Sequence, residues 1–489
     1  MEERICYDNC MKVGWKTYNL EDVCEILDNL RKPINSKDRQ KRIEGKKESE
    51  LYPYYGATGQ VGFIDDYLTD GEFVLIGEDG APYFDFSKNI SYLIKGKTWV
   101  NNHAHVLKSY FNNNYLMHYL NQFNFNGYVS GTTRLKLTQG SMRKIPIEVA
   151  PFPEQRAIVS KIELLFSELD NGIANLKLAQ EQLKVYRQAV LKKAFEGELT
   201  KKWREQQTDL PNAGDLLEQI RKEREKIGQT SGKKQKSINP LTEDELTEPP
   251  RLPEGWRWAG LGEIIDNIQA GKSIRCDERP PKLNELGIVK VSSVSWGEFD
   301  ENESKTCFSE EAFNADYIIQ KNDFLFSRAN TIELVGACVI VKSISKHLML
   351  SDKILKIDFS QNNMKFYSLY YLRSFFGRKE IESLATGNQE SMRNIGQDRI
   401  KQIRIPICSP SEQQAIVQEI ETRLSVCDKI EQDIKENLEK AEALRQSILK
   451  KAFEGKLLNE RELAEVRGAE DWEPAEVLLE RIRTERVKK

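Results

Sequence analysis

Four polar segments, the first read as a strand, hold the side chains best suited to chemistry in this 489-residue chain. They lie in "KTWVNNHAHVLKS" (97–109), "YVSGTTRLKLTQGSMRKIPI" (128–147), "KNDFLFSRANTIELVGACVIV" (321–341) and "ATGNQESMRNIGQDRIKQIRIPI" (385–407). Amides, hydroxyls and guanidinium groups suit hydrogen bonding to base edges and phosphates. In the first half the candidates are Lys97, Asn101, Asn102, His103, Thr132, Thr133 and Arg134; in the second they are Ser327, Arg328, Asn330, Gln389 and Arg393. A basic run, "RKPINSKDRQKRIEGKK" (31–47), sets eight Lys or Arg against two acids. It reads as a phosphate contact, since cations drive sequence-independent nucleic-acid affinity, or as a solvated loop. Loops of this composition occur in many proteins, so they leave the ligand open.

Catalytic patterns are missing where they would be expected. "AGKS" (270–273) imitates a phosphate-binding loop, but Asp266 stands where that motif needs its first glycine. His103 and His105 share one strand face and could bind metal, but no nearby Cys or third histidine completes a site, which favours core packing. Asp65-Asp66 and Glu78-Asp79 lack the lysine of a nuclease centre and read as surface turns. There is no G-x-S-x-G elbow, no dinucleotide fingerprint and no Asn-Pro-Pro-Tyr-like methyltransferase motif. No catalytic residue and no metal ligand is expected, so any chemistry served by this chain belongs to another one.

Composition bounds the class. Hydrophobic residues make up 39% of the chain, enough for globular cores, and charged residues 30%, above the roughly 25% usual for soluble proteins. That excess fits long solvated helices. A net charge of −3 offers no global positive field, so a nucleic-acid surface would have to be local. Eight cysteines without a C-x-x-C pair read as reduced thiols, and no apolar run approaches ~18 residues. The expectation is a soluble, cytoplasmic protein.

The elements that must position these loops are written twice. "LKKAFEG" occupies 191–197 and returns at 449–455, and "EQRAIVSKIELLFSELD" (154–170) aligns without a gap on "EQQAIVQEIETRLSVCD" (412–428). Ile145-Pro146-Ile147 answers Ile405-Pro406-Ile407, "LLEQIRKER" (216–224) answers "LLERIRTER" (478–486), and "GWKTYNLEDV" (14–23) resembles "GWRWAGLGEI" (255–264). Each repeat is therefore a globular domain followed by a long helix. Pro153-Glu154 opens one helix, and Pro410-Ser411 with Gln414 suggests a capping box for the other. Paired lysines and then Gly197 or Gly455 end them. Apolar stripes run along both: Ile162, Leu165, Leu169, Leu176, Ala179, Leu183, Tyr186, Val190 and Ala194, then Ile420, Leu424, Cys427, Ile430, Ile434, Ala441, Leu444, Ile448 and Ala452. Matched stripes this long predict that the helices pair with each other. The fold class is α+β. The expected divisions are a domain over 1–150, a helix over 151–199, a charged helical segment and linker over 200–252 (its polar, proline-bearing part at 228–255), a second domain over 253–409, a helix over 410–457 and a charged helical tail over 458–489.

With "YYGATG", "IGEDGA", "WVNNHAHVL", "SGTT", "EQRAIVSKIELLFSELD", "LKKAFEGEL" and their second-half counterparts in view, the chain resembles the specificity subunit of type I restriction–modification enzymes. The resemblance covers nearly the whole length. It implies two target recognition domains, each reading one half of a split, asymmetric DNA sequence. It also implies an antiparallel coiled coil with internal pseudo-twofold symmetry, serving as a ruler and as a dock for two modification subunits. Glu154, Gln155, Ile158, Phe195, Glu412, Gln413, Ile416 and Phe453 fall in the repeated segments that the resemblance gives to this helix and partner docking. S-adenosylmethionine, ATP and Mg would then belong to the modification and restriction subunits, and this chain would hold no cofactor. From the residues alone, a coiled-coil scaffold without DNA recognition, or a stand-alone methyltransferase or nuclease, remain the other readings.

Overall fold

The structure is a computed structural model that describes residues 12–85, 88–231, 251–295, 297–308, 313–389 and 391–487. Most of the linker expected at 228–255 lies outside the described residues, as do Cys6, Cys10 and Glu390.

The first domain opens with β1 (Lys16–Asn19), α1 (Leu20–Val23), β2 (Cys24–Ile26) and α2 (Ser36–Ile43). Five strands follow, β3 (Tyr52–Gly56), β4 (Gly59–Ile64), β5 (Thr69–Gly77), β6 (Ser91–Val100) and β7 (Ala104–Ser109), then α3 (Asn113–Gln122). A small hairpin of β8 (Val129–Ser130) and β9 (Lys136–Leu137), α4 (Gln139–Arg143) and β10 (Pro146–Val149) complete it. One sheet runs in the order β2-β7-β5-β6-β3-β4. Its centre is β5, where Val74 and Ile76 join the core under α3 while Phe73 and Leu75 join a second cluster on the opposite face. A strand covered on both faces reads as a continuous apolar run, as "FVLI" does. The domain is closed by its ends, β1 pairing antiparallel with β10 so that Tyr18 faces Ile147.

The long helix α5 (Phe152–Phe195), α6 (Lys201–Glu205) and α7 (Ala213–Ser231) lead to the second domain. Its strands are β11 (Arg257–Gly260), β12 (Ile265–Ala270), β13 (Cys276–Asp277), β14 (Leu286–Val289), β15 (Ser304–Cys307), β16 (Phe324–Ser327), β17 (Ala329–Asn330), β18 (Cys338–Ile340), β19 (His347–Met349) and β20 (Ile354–Phe359). They are followed by α8 (Asn362–Arg373), α9 (Phe375–Leu384), β21 (Thr386–Gln389), β22 (Met392–Asn394), α10 (Gln397–Gln402) and β23 (Arg404–Ile407). The plan repeats: β11 pairs with β23, again putting the Ile-Pro-Ile segment on the closing strand. β16 is buried on both faces within the order β12-β20-β16-β18. The second domain adds a sheet of its own, β13-β15-β14-β19. After it come α11 (Pro410–Phe453), α12 (Glu460–Arg467) and α13 (Ala475–Val487).

Both long helices have 44 residues, or roughly 66 Å at ~1.5 Å per residue. Ser409, not Ser411, caps α11: its hydroxyl accepts from the Glu412 amide at 3.3 Å, and Pro410 takes the first helical position, where a missing N–H costs nothing. Gly197 and Gly455 end the helices with φ of 73° and 75°.

The chain divides into two compact units, 1–178 with 433–489, and 179–432. The division runs through both long helices. Each unit therefore holds one domain, the beginning of the helix that leaves it and the end of the other helix. Inside the first unit, Phe453 at the end of α11 is buried edge-on between Tyr115 and Tyr119, each ring centre 5.1 Å away. These tyrosines are four residues apart on α3 and so share a face. Their hydroxyls donate to the Glu148 and Pro146 carbonyls at 2.9 Å, tying α3 to β10. Inside the second unit Phe195, at the end of α5, meets Tyr367 and Tyr371 on α8 at 5.3 and 5.1 Å, and the Tyr367 hydroxyl donates to the Pro406 carbonyl at 2.7 Å. The repeated "LKKAFEG" is a plug written for two matching sockets.

The helix starts are seated by two buried carboxylates. Glu154 accepts from the indole N–H groups of Trp15 (2.8 Å) and Trp472 (3.3 Å) and from Arg467 Nε (3.0 Å). Glu412 accepts from Trp256 Nε1 (2.9 Å), Arg204 Nη1 (2.7 Å) and Thr200 Oγ1 (2.9 Å). The neighbouring glutamines bond the chain beside them. Gln155 donates to the Ala150 carbonyl and accepts from the Asn112 amide, while Gln413 donates to the Cys408 carbonyl and accepts from Asn363. Together with Ile158, Ile416, Phe195 and Phe453, these eight residues, expected to take part in docking, are buried inside their own units. They seat the chain's own helices, with the carboxylates and carboxamides hydrogen-bonded inside their own unit.

Between start and plug, the helix ends run antiparallel within each unit. Arg445 pairs with Asp170 in the first unit; in the second, Arg187 pairs with Asp428 at 2.8 Å and Glu431 at 2.9 Å. On α11 the buried positions recur every seven residues at Ile420, Cys427, Ile434, Ala441 and Ile448. Tyr186, Ile430 and Leu444, placed in the stripes on sequence, are exposed by 44%, 42% and 50%. A two-helix seam is narrow, and these residues lie beyond its edge. The segments after the helices fold back onto the domains: Arg221 of α7 pairs with Glu263 at 3.7 Å, and Arg483 of α13 with Asp22 at 3.5 Å.

Two outcomes follow from this packing. Phe453→Ala removes an aromatic plug and costs about 3–5 kcal/mol, all of it in the first unit. Hydrogen exchange would show faster exchange in α3 and β10 while α8 keeps its protection. The second concerns His118, buried on α3 against Phe166, whose Nε2 has no hydrogen-bond partner. Burial pushes its imidazole down to about 4. The folded chain then refuses a proton that the unfolded chain accepts below ~6.5, so stability is complete above that pH and falls by ~3 kcal/mol as pH drops toward 4. Denaturation of His118→Phe across this range should lose that part of the acid sensitivity.

Candidate nucleic-acid interface

In the first unit, the loop after β5 meets the β8–β9 hairpin, and backbone bonds fix the junction. The Gly80 amide donates to Leu135 O at 2.9 Å and the Leu137 amide to Glu78 O at 2.8 Å. Beneath lies a network of charges. Glu78 pairs with Arg31 at 2.5 Å and Lys136 at 3.2 Å. His105 bonds Asp28 through Nδ1 at 2.7 Å and the Leu137 carbonyl through Nε2 at 2.9 Å, and Gln139 donates to Asp28 at 2.8 Å. Burial would raise both acids, but these hydrogen bonds and the nearby cations outweigh it, holding Asp28 and Glu78 below the usual carboxylate range. His105 is thus a structural bolt, as core packing requires, while His103 lies in the turn before β7 and does not share its strand face. Among the described residues no three His, Cys, Asp or Glu side chains gather to hold a metal ion.

Above this network stand the exposed residues. Thr132, Thr133 and Arg134 form the hairpin turn, with Arg134 Nε 2.5 Å from Asp79 Oδ1. His103 Nδ1 lies 3.6 Å from the same carboxylate, and Asn102 is exposed beside it. Asn101, by contrast, is buried: its side-chain oxygen accepts from the His103 amide at 2.8 Å, shaping the turn. Lys97 stands on β6 opposite Asp70, its ammonium 4.6 Å from the centre of the Tyr67 ring. In the basic run the arginines turn inward. Arg42 and Lys46 pair with Asp65 at 2.5 and 2.6 Å, and Arg39 lies over Tyr54, while Lys37, Lys41 and Lys47 stay exposed.

In the second unit the equivalent loop and hairpin form a three-stranded sheet, β17-β22-β21. Asn330 faces Arg393 across it, and Gln389 faces Met392. Arg328 Nε reaches Asn394 Oδ1 at 3.4 Å, and Arg393 donates to the Gly387 carbonyl at 2.8 Å. Four of the five residues expected here are thereby gathered in one place. Ser327 is the exception: it is fully buried at the end of β16, its amide donating to Ala337 O at 2.8 Å.

The two hairpins share one constraint. Gly131 and Gly387 adopt φ of 104° and 130°, and a Cβ on either would lie 2.4 Å from a carbonyl oxygen, that of Arg134 or of Met392. Only glycine permits that turn. Sequence reasoning took Asp79 only for part of a surface turn and overlooked Met392; both sit beside residues that it chose. A glycine opening a polar run that ends in a long side chain is the signal that would have found Met392. "AGKS" is also explained: Gly271 follows β12 with no helix after it, and a Cβ there would lie 1.9 Å from Leu350 O.

Comparison with known proteins places this frame. The family described as "Type I restriction modification DNA specificity domain" matches residues 12–178 and 253–440, one copy per half. A putative type I restriction enzyme specificity subunit of Haemophilus influenzae is 36% identical over 190 residues, 37% of this chain and 46% of that protein. The EcoEI specificity subunit of Escherichia coli is 30% identical over 50% of this chain and 41% of its own length, so the chain spans less than half of each of these two. The Escherichia coli EcoDI specificity subunit is 22% identical over 98% of this chain and 96% of that protein. Among solved structures, a chain from a type I R-M system aligns over 91% of this chain with a TM-score of 0.59 at 16% identity, and the HsdS subunit of Thermoanaerobacter tengcongensis over 91% with 0.50 at 17%. These two show a shared fold. Two family segments, each carrying the same closed domain and the start of the same 44-residue helix, leave one assignment: the chain belongs to the type I restriction–modification DNA specificity domain family.

Proposed function

We propose that this chain is the non-catalytic, sequence-reading subunit of a type I restriction–modification assembly, and that its two domains each read one half of a bipartite, asymmetric DNA target. The observation that carries this reading is a single hairpin frame, built twice on glycine, bearing different side chains: Thr132, Thr133 and Arg134 in one unit, Gln389, Met392 and Arg393 in the other. Repeated frames with unlike letters suit two half-sites of unlike sequence, as a single chain mimicking a dimer would need. Held in one chain, two modest readers gain affinity through effective concentration. In this reading the paired helices dock two modification subunits by surfaces other than the eight buried residues. S-adenosylmethionine, ATP and Mg act on the modification and restriction subunits, and this chain binds none of them. No helix among the described residues is long and apolar enough to cross a membrane, in keeping with work on DNA.

Exchanging residues 14–150 for a different recognition domain should alter one half-site and leave the other intact, read by sequencing modified bases. Alteration of both would defeat independent reading. Arg134→Ala should weaken binding of the complete modification complex by about 1–3 kcal/mol and relax one base position. Unchanged affinity and preference would remove Arg134 from the interface, and a complex that prefers no sequence would favour a plain scaffold.

A further inference from the structure

The hairpin frame assigns a base as well as a place. In each unit the turn glycine lies against one carbonyl, that of Arg134 in the first and Met392 in the second, so these two side chains hold equivalent positions. The first is a guanidinium, exposed by 59% on its side chain and held by Asp79; the second is a thioether, exposed by 70%. A large apolar side chain left this open on a polar hairpin gains nothing within its own fold. Strand register adds its neighbours. Directly opposite residues share a face, so Gln389 stands beside Met392, and Asn394, two residues along β22, lies on the same side. An apolar tip beside a carboxamide is complementary to one base pair in particular. The thymine 5-methyl group offers an apolar surface in the major groove, while adenine N6 and N7 of the same pair suit a glutamine amide. Arginine at the equivalent position of the first domain suits guanine O6 and N7 instead.

We infer that Met392 is a specificity-determining residue of the second domain, contacting the 5-methyl group of a thymine whose paired adenine is met by Gln389. This rests on the DNA-reading role proposed above. The test uses the full chain assembled with its modification subunits. Its probes are duplexes carrying the genome-mapped target, in which each thymine of the half-site read by residues 253–409 is replaced in turn by deoxyuracil, which lacks only the methyl group. One replacement should weaken wild-type binding about fourfold, the worth of one buried methyl. Met392→Ala should bind the thymine and uracil duplexes alike, and Met392→Leu should retain part of the preference. A wild-type complex that selects its target yet ignores every such replacement overturns the inference, as does a uracil penalty that survives in Met392→Ala. An equal loss on both duplexes by a variant that still discriminates would mean a wedge between bases, also against it. A wild-type complex with no preference for the target over scrambled DNA would instead overturn the DNA-reading role itself.

Discussion

Everything in this fold hangs from two carboxylates that water does not reach. Glu154 and Glu412 sit in the first turn of the long helices, where the helix dipole favours an anion, and each is surrounded by an indole from the start of the same domain and an arginine from the segment that follows a helix. One side chain thus joins three separate stretches of chain. A buried charge is costly unless every oxygen is satisfied, so the arrangement tolerates little deviation: removing either partner strands the other. That intolerance fixes the angle at which a helix leaves its domain. It is also why "GW" and "EQ" occur in both halves although the domains between them diverge.

The loops are built on the opposite principle. Their frames are rigid, through the Arg31–Glu78 and Asp28–His105 network in one unit and through β17-β22-β21 in the other, while their exposed side chains carry almost no structural duty. Thr132 and Thr133 can change without disturbing a core, whereas Gly131 and His105 cannot. A fold arranged this way separates what must be kept from what is free to vary.

The sequence made the duplication, the equal helices, their stop signals and the recurring segments that bound each domain legible, because these are periodic or repeated patterns. It was less able to show depth. Asn101 and Ser327 have the composition of readers but buried positions: the Asn101 side chain turns in to take the His103 amide one step past β6, and Ser327 is the last residue of a strand covered on both faces. Ile430 and Leu444 have the spacing of a seam but fall outside it. The partners of Glu154 are 139, 313 and 318 residues away, a separation that no local pattern reports. Met392 was passed over beside Arg393 because a charge attracts attention that a thioether does not.

The crossed seating of the helix ends also dictates an order of assembly on the ribosome. The second unit is a single stretch, 179–432, and all its parts are available once that stretch has emerged. The first unit is made earlier but cannot be finished: the socket at Tyr115 and Tyr119 waits for Phe453, and Glu154 waits for Arg467 and Trp472. The domain synthesised first is therefore the last to close, with the entropy of a loop some three hundred residues long opposing it until the final helices arrive. Nascent chains will expose an unplugged aromatic socket for most of translation, and a chain that ends between residues 432 and 453 is a half-protein whose second unit is whole and whose first is not.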